Sequence, residues 1–290
     1  MPGIELPLRF IAKTVCHMFY LLSRDNYLWL TTGGGGASAE DGTRIRATRK
    51  RLPQRIIGDA MPVSRLSFSQ VIDALALLYG ESPKPAATEP FAMIVWENIA
   101  YLASDERRGE AFEQLRRRVG LRPRDVLKAS DKALLSVAAK GIVPENSVEK
   151  LRRAAEIAEQ SFAGDLASVL QKPAAAAKKD LRKFPSIGEP AAEKILLFNH
   201  KLPVLALDSN GLRVLVRLGF APERKSYSAT YKGVQQALAP QLPVDCAGLV
   251  RAHQLLRQHG QELCKRTAPI CSRCPLRPSC AFFAEAGGGS

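Results

Sequence analysis

The chain has 290 residues, 46% of them hydrophobic, so it is long enough to bury the core of one large or two modest domains and is not a mini-protein. Lysine and arginine number 42 against 28 acidic residues, a formal net charge of +14. This surplus indicates a polyanionic partner such as nucleic acid, with a solubility surplus or a basic tail as the alternative. No clean apolar stretch is long enough for a membrane span, and residues 1–9 lack the charge of a secretory signal, so we expect neither.

Residues 1–62 differ in composition from the rest of the chain, with an apolar start, consecutive glycines at 33–36 and a basic run after them. We predict a poorly ordered basic extension, which is either a DNA-gripping arm or the product of an upstream start codon chosen in error. From Ser67 onward, apolar residues recur at helical spacing in residues 71–78, 91–103, 111–119 and 148–158. No alternating strand pattern is present, so the predicted fold class is all-α.

Two polar residues, Glu97 and Asn98, interrupt the otherwise apolar helix predicted at 91–103. Polar groups in such a setting need a reason. A carboxyl group there would have a raised pKa and could act as a general acid. The alternative is that Glu97 forms a salt bridge with a helix neighbour or faces solvent.

Residues 181–195 are typical of a helix, a short turn and a second helix with Pro190 in its first turn. The backbone N–H groups of such a turn can face a DNA phosphate, and Gly188 allows the close approach. Tight helix pairs are also common packing devices. Further on, the apolar run 204–207 leads to Asp208 at the start of a helix, where an aspartate is ordinarily an N-cap.

Four of the six cysteines lie between residues 264 and 280, whereas Cys16 and Cys246 stand alone. This arrangement indicates a local metal site in a reducing compartment rather than a disulfide framework. Iron-sulfur and zinc are the competing centres. Zinc sites usually pair two C-x-x-C knuckles, and only one is present here. The four cysteines are Cys264, Cys271, Cys274 and Cys280.

The C-x6-C-x2-C-x5-C spacing, the hairpin and the Asp208-x-Asn210 segment, in this order, resemble the endonuclease III and MutY family of DNA glycosylases. The resemblance covers about residues 65–283 and implies that the four cysteines hold a 4Fe-4S cluster. It also implies a two-lobed all-α fold with DNA across the cleft. The expected parts are a six-helix barrel at 85–204 that ends in the hairpin at 181–199, a cluster lobe from 63–84 and 205–283, and a tail at 284–290.

The resemblance further implies a base-excision N-glycosylase that acts on double-stranded DNA with a damaged or mismatched base, as an intracellular monomer such as a bacterial cytoplasmic enzyme. Asp208 would stabilise the positive charge that develops on the sugar. Glu97 matches the glutamate that protonates adenine in MutY, and Tyr101 could line the same pocket. The lysine of bifunctional members is replaced by Pro190, which implies a monofunctional enzyme. The alternatives are a glycosylase and lyase that uses Lys194, and a catalytically inactive DNA-binding member.

Several residues are predicted to contact DNA. In the hairpin turn these are Ser186, where the family usually has glycine, Ile187 and Gly188. Asn210 is expected beside the flipped nucleotide. Leu102, where relatives carry glutamine, would be an apolar wedge or, equally, a core residue. Basic residues between the cysteines would meet phosphates or form ordinary surface charge: Lys265, Arg266, Arg273 and Arg277.

Overall fold

The computed structural model describes residues 66–100 and 102–286. The predicted extension at 1–62, Tyr101 and the last four residues of the tail lie outside the described residues. The described part contains helices and no strand, which confirms the all-α prediction. None of the described helices is both long and apolar enough to cross a membrane. The helices are α1 (Phe68–Tyr79), α2 (Pro90–Asn98), α3 (Asp105–Arg118), α4 (Pro123–Lys128), α5 (Asp131–Ala138), α6 (Pro144–Phe162), α7 (Ala167–Leu170), α8 (Ala174–Leu181), α9 (Glu189–Phe198), α10 (Ser209–Arg217), α11 (Tyr227–Leu238), α12 (Cys246–Glu262) and α13 (Ala281–Glu285), with 3-10 turns at Ala239–Gln241, Cys271–Arg273 and Arg277–Ser279.

Polar side chains define where many of these helices begin. Ser67, Ser104 and Ser226 accept hydrogen bonds from the first turns of α1, α3 and α11. Asp208 and Asp245 do the same for α10 and α12. Each cap satisfies an N–H group that has no partner within its helix, typically contributing about 1 kcal/mol. The capping residues therefore fix the positions of the helix starts that matter most below.

The helix predicted at 91–103 ends earlier, at Asn98. The Asn98 amide Nδ2 donates to the Ile94 carbonyl, at 2.8 Å, and to the Pro185 carbonyl of the hairpin, at 3.0 Å. This side chain therefore ties the end of α2 to the hairpin. Beyond it, Leu102 adopts a left-handed conformation with φ 56°, which a helix cannot contain.

Helix α6 packs against α2, α4 and α5, and α12 packs against α1, α9 and α10. Helix α9 contacts both α8 and α12, so it links these two sets of helices. The two predicted lobes, with their boundaries at 84 and 204, stay a prediction. The packing does place the hairpin helix α9 directly beside α12.

The crossing of α10 and α12 depends on Gly260. A Cβ atom at this position would lie 2.7 Å from the Asn210 carbonyl oxygen and 2.8 Å from its carbonyl carbon. Backbone atoms cannot move aside as a flexible side chain can. The glycine therefore allows α12 to approach the first turn of α10, which Asp208 caps.

Replacing Gly260 by alanine should lower the free energy of unfolding by about 1–3 kcal/mol, the usual cost of an overpacked contact. Gly109→Ala is the matched control, because a Cβ atom there meets nothing within 4 Å. This control should raise stability by about 1 kcal/mol, since alanine is favoured inside a helix. Chemical denaturation measures the free energy of unfolding of both variants. Equal changes in Gly260→Ala and Gly109→Ala would contradict the close approach of α12 to α10 at Gly260.

Candidate active site and hairpin

Asp208 caps α10 with both oxygens of its carboxylate engaged. Oδ1 accepts from the backbone N–H groups of Asn210, at 3.0 Å, and Gly211, at 2.8 Å. Oδ2 accepts from the Asn210 amide, at 3.0 Å, and lies 3.2 Å from Nε of Arg257. Asp208 is therefore both the helix cap and an oriented, partly exposed carboxylate, as the sequence pattern predicts.

The surroundings of Asp208 favour its ionised form. Burial alone would raise the pKa of this carboxyl group. Burial is opposed by the charge that His253 carries in the acidic range where Asp208 titrates, by the charge of Arg257, and by the hydrogen bonds from the backbone and from Asn210. The pKa consequently lies below its ordinary value, so Asp208 is an anion at neutral pH.

Arg257 is a site residue that the sequence reasoning missed. Besides its contact with Asp208, Arg257 forms a bidentate ion pair with Asp105. Nη1 donates to Oδ2, and Nη2 donates to Oδ1 at 2.7 Å. A signal was available in the sequence, because Arg257 lies one turn after His253 on the buried side of α12. A charged residue next to an apolar stripe needs a partner, but the sequence does not say which.

Glu97 and Lys194 form an ion pair between α2 and α9. Their side chains are 23% and 17% exposed, so the pair is well shielded from water. Burial pushes the pKa of Glu97 upward, but the charge and hydrogen bond of Lys194 outweigh it, and the pKa is lowered. The expectation of a raised pKa at Glu97 is therefore wrong, because Lys194 was not foreseen as its partner.

The pair opens onto a cavity of about 200 Å³. Its polar lining comes from Glu97, Asp105, Lys194, His253 and Arg257, and its apolar lining includes Trp96 and Phe198. Burial lowers the pKa of His253 to about 4, so this imidazole is neutral at pH 7. The cavity thus combines aromatic walls with carboxylate and cationic groups, a composition suited to a heteroaromatic ring.

The hairpin takes the predicted form, with α8, the turn at 182–188 and α9, and Pro190 lies in the first turn of α9. Ser186 has a φ of 61°, in the left-handed region that favours glycine. Gly188 is the exposed N-cap residue of α9 and is extended, with φ −84°. The Ile187 side chain is buried and its N–H donates to the Phe184 carbonyl, so Ile187 shapes the turn rather than offering it a free donor.

Replacing Ser186 by glycine should relieve the left-handed strain and raise the free energy of unfolding by up to about 1 kcal/mol. His200→Gly is the matched control, because His200 also has a positive φ, 55°, but lies after α9. Thermal unfolding measures both variants. A loss of stability in Ser186→Gly alone would contradict the strained turn.

Glu189 places a negative charge in the first turn of α9, beside the expected phosphate position. Its carboxylate lies 3.8 Å from Nζ of Lys178 and 3.5 Å from Nζ of Lys232. An acid at a helix N-terminus stabilises the helix but repels an incoming anion. The two lysines partly neutralise this charge.

Glu189→Gln should therefore strengthen duplex binding several-fold at low salt, because it removes a repulsive charge and frees Lys232, while Lys178 keeps its ion pair with Glu193 at 2.9 Å. Glu145→Gln is the control, since Glu145 occupies the first turn of α6, away from the hairpin. Fluorescence anisotropy with a labelled duplex compares the two. Equal affinities would show that the start of α9 does not approach the backbone of DNA.

Leu102 is 65% exposed. Its alternative role as a core residue is therefore wrong. A leucine in a left-handed conformation is uncommon, and such strain tends to occur at functional positions. The wedge role of Leu102 stays a prediction.

The cysteine loop brings its four thiols to one small apolar cavity, which Leu263, Ile270 and Phe282 also line. All four thiols are free and partly buried. Burial, reinforced by the neighbouring cysteines, raises the pKa of Cys274 to about 11. Among the described residues, no group of three His, Cys, Asp or Glu side chains is arranged to hold a single metal ion.

Several donors surround these sulfurs. Nε2 of His259 lies 3.4 Å from Sγ of Cys274, and its Nδ1 lies 3.1 Å from the Tyr79 hydroxyl. Nη1 of Arg217 lies 3.4 Å from Sγ of Cys264. An N–H donor such as Arg217 stabilises the thiolate form that binds metal, whereas burial of the loop favours the neutral thiols while no metal is bound. The predicted phosphate-binding residues of this loop all have exposed side chains: Lys265, Arg266, Arg273 and Arg277.

No family model matches the chain. The endonuclease III of Thermotoga maritima is 25% identical over 202 residues, which cover 70% of this chain and 87% of that protein. The endonuclease III of Sulfolobus acidocaldarius is 26% identical over 195 residues, or 67% of this chain and 83% of the relative. A solved non-covalent endonuclease III–DNA complex superposes with a TM-score of 0.62 at 18% identity, covering 77% of this chain and all of that chain.

The structural likeness shows the fold, and the sequence likeness extends over most of the described residues. The likeness of Glu97 and of the Asp208-x-Asn210 segment to MutY is finer than these comparisons and stays a prediction. The hairpin and the capped Asp208 occur in a fold like that of solved endonuclease III, and the chain is similar in sequence to proteins named endonuclease III.

Proposed function

We propose that the protein is a base-excision DNA N-glycosylase that hydrolyses the N-glycosidic bond of a damaged or mismatched base in double-stranded DNA. The observation that carries this proposal is the ionised, doubly anchored carboxylate of Asp208, which contacts Arg257, one of the residues that line the cavity of about 200 Å³. A base flipped into the cavity would bring its sugar towards Asp208. The homology to proteins named endonuclease III supports the reaction class.

Breaking the bond leaves positive charge on the sugar, and a fixed anion stabilises that charge without reorganising. Asp208 suits this task because its pKa is low and its two oxygens are held by several donors. A carboxylate with both oxygens bonded is also a weak base. We therefore assign Asp208 mainly to electrostatic stabilisation of the sugar, with water as the nucleophile.

Glu97 is ionised in its pair with Lys194, so it holds no proton for the leaving base in this state. A general acid role for Glu97 requires that a bound base first separates the pair. The Lys194 ammonium can instead donate a hydrogen bond to the base that leaves as an anion. Both groups line the cavity, so we propose that they act as a pair on the departing base.

The second candidate function is a glycosylase with lyase activity through Lys194. Lys194 lines the cavity, which favours this second function. The position where the family has its catalytic lysine is occupied by Pro190 in this chain. The ion pair with Glu97 weakens the case for this second function, because an ammonium has no lone pair with which to attack C1′. Borohydride trapping decides: a covalent DNA adduct with the wild type but not with Lys194→Gln would establish the lyase, provided that Lys201→Gln still traps.

The cysteine loop fits a 4Fe-4S cluster held by Cys264, Cys271, Cys274 and Cys280. Four sulfurs around one zinc ion lie about 3.8 Å apart, since each Zn–S bond is about 2.3 Å. A cluster spaces its thiolates more widely, and the C-x6-C-x2-C-x5-C spacing with all four thiols lining one cavity supports the cluster. We propose that the cluster is structural and fixes the exposed basic residues of the loop against DNA.

Leu102, the hairpin turn and the basic loop would together make the DNA-binding surface, with Leu102 filling the gap left by the flipped base. A panel of duplexes with deaminated, oxidised or alkylated bases, each opposite all four bases, tests the proposal. Mass spectrometry of the supernatant should find one or more free bases. Tight duplex binding without release of any base would instead favour the inactive DNA-binding alternative.

A further inference from the structure

The carboxylates of Asp105 and Asp208 share one guanidinium, that of Arg257. Its two terminal nitrogens face Asp105, and its Nε lies 3.2 Å from Oδ2 of Asp208. Gln261 donates to Oδ2 of Asp105, at 3.0 Å, and completes the cluster. The Arg257 and Asp208 side chains are only 22% and 24% exposed, so solvent screens their interaction weakly.

We propose that Arg257 is a positioning residue for the reaction, which holds Oδ2 of Asp208 in place through Nε while Asp105 holds Arg257. This inference rests on the proposed function of Asp208 and adds residues that the resemblance to the family does not supply. The guanidinium is planar and its donors are fixed in direction. Two hydrogen bonds to Asp105 therefore hold the guanidinium in one orientation, with Nε 3.2 Å from Oδ2 of Asp208 as an ion pair.

The charge of Asp105 is as necessary as its geometry. A lone cation beside Asp208 would cancel the negative potential that stabilises the sugar in the transition state. Asp105 offsets the charge of Arg257, so the three groups together keep one net negative charge. A single arginine thereby orients the carboxylate without removing its electrostatic effect.

The cluster also links two parts of the proposed DNA site. Asp105 is the first residue of α3 and follows closely after the exposed Leu102, while Arg257 belongs to α12. The bridge from Asp105 to Asp208 therefore fixes the segment that carries Leu102 relative to the start of α10. Catalysis on a flipped nucleotide requires the Leu102 segment and Asp208 to keep fixed positions relative to each other.

Other charged and titratable groups interact with Asp208 or with its neighbours and have to be held constant in a test. Arg213 on α10, Tyr227 on α11 and His253 on α12 interact with Asp208. Glu97 on α2 interacts with Arg257, and Lys194 on α9 interacts with His253. None of them is changed in the variants below.

The test compares Arg257→Gln, Arg257→Lys and Asp105→Asn in the full chain. Carboxyl ¹³C NMR of labelled aspartate follows the ionisation of Asp208 without any substrate, and Asp208→Asn assigns the resonance. We expect the Asp208 midpoint to rise by at least about one pH unit in Arg257→Gln, equivalent to a tenfold change in its proton affinity. In Arg257→Lys the Asp208 midpoint should lie close to the wild-type value, because lysine keeps the positive charge. In Asp105→Asn the Asp208 midpoint should not rise.

The second readout is the pH dependence of single-turnover release of the base that the panel identifies, followed into the acidic range where Asp208 titrates. The acidic limb of this profile should move up by about one pH unit in Arg257→Gln and stay near the wild-type position in the other two variants. An unchanged Asp208 midpoint in Arg257→Gln, or an equal rise in Asp105→Asn, would overturn the proposal. If Arg257→Gln does not fold, the other two variants decide. A raised Asp208 midpoint in Asp105→Asn overturns the proposal. An Asp208 midpoint that is not raised in Asp105→Asn, together with a midpoint near the wild-type value in Arg257→Lys, supports the proposal. If the wild type releases no base, the proposed function fails, while the NMR result still decides the role of Arg257.

Discussion

An Asp208→Asn variant should release base at least about a hundredfold more slowly than the wild type, the usual effect of removing one group that stabilises transition-state charge. Asparagine keeps the shape of the side chain and is as good an N-cap as aspartate, so α10 should form normally. It cannot carry the negative charge that the sugar requires. Duplex affinity should change little, because Asp208 is an anion and contributes nothing attractive to a phosphate. Single-turnover release with excess protein measures the rate.

The matched control for this prediction is Asp245→Asn. Asp245 caps α12 through the Gly248 N–H, at 2.7 Å, and the same substitution there leaves the candidate site untouched. Its rate should equal that of the wild type. Asp208→Asn with wild-type activity would remove Asp208 from the mechanism. Loss of activity in both variants would indicate that the caps matter only for folding.

Cys274→Ala should produce the second large effect, the loss of most bound iron and duplex binding weakened by at least about tenfold. Sγ of Cys274 lies in the shared cavity, 3.4 Å from Nε2 of His259. Without one ligand the loop loses the centre that fixes it, and its exposed arginines lose their common orientation. Iron and acid-labile sulfide content, together with anisotropy of a labelled duplex, measure both effects.

Cys246→Ala provides the control for the cysteine prediction, because Cys246 is also a free, partly buried thiol but opens α12 away from the loop. It should retain iron and DNA affinity. Wild-type protein that contains zinc and no sulfide would contradict the cluster. Cys274→Ala that binds duplex as tightly as the wild type would contradict the role of the loop in DNA binding.

The parts of the site that depend on local sequence were predictable. The apolar run before Asp208 and the residues after it define a helix start, and the structure has Asp208 as the N-cap. Pro190 and Gly188 define the hairpin in the same way. The cysteine spacing is also local, and its four thiols do share one cavity. In each case the information lies within a few consecutive residues.

The electrostatic partners were not predictable, because they depend on how distant helices pack. Glu97 and Lys194 are far apart in sequence, as are Asp105 and Arg257, yet both pairs are in contact. The sequence pattern showed only that Glu97 sits in an apolar helix, which suggested a raised pKa. Lys194 reverses that shift.

Leu102 illustrates a different limit. Helical spacing continues through this residue, so the pattern extended α2 too far and left a core position as an equal alternative. The chain instead leaves the helix at Asn98, whose amide bonds to the hairpin across 87 positions of sequence. A tertiary contact of one side chain thus decided the end of the helix and the exposure of Leu102.

The central claim is that this protein hydrolyses an N-glycosidic bond in duplex DNA and leaves the strand intact. The most direct test incubates excess wild-type protein with the panel duplexes and divides each reaction, one half with alkali treatment and one half without. We predict free base in solution, an intact strand before alkali and a break at the lesion after it. No free base from any duplex would contradict the glycosylase, and a strand already broken before alkali, with a borohydride-trapped adduct, would contradict simple hydrolysis.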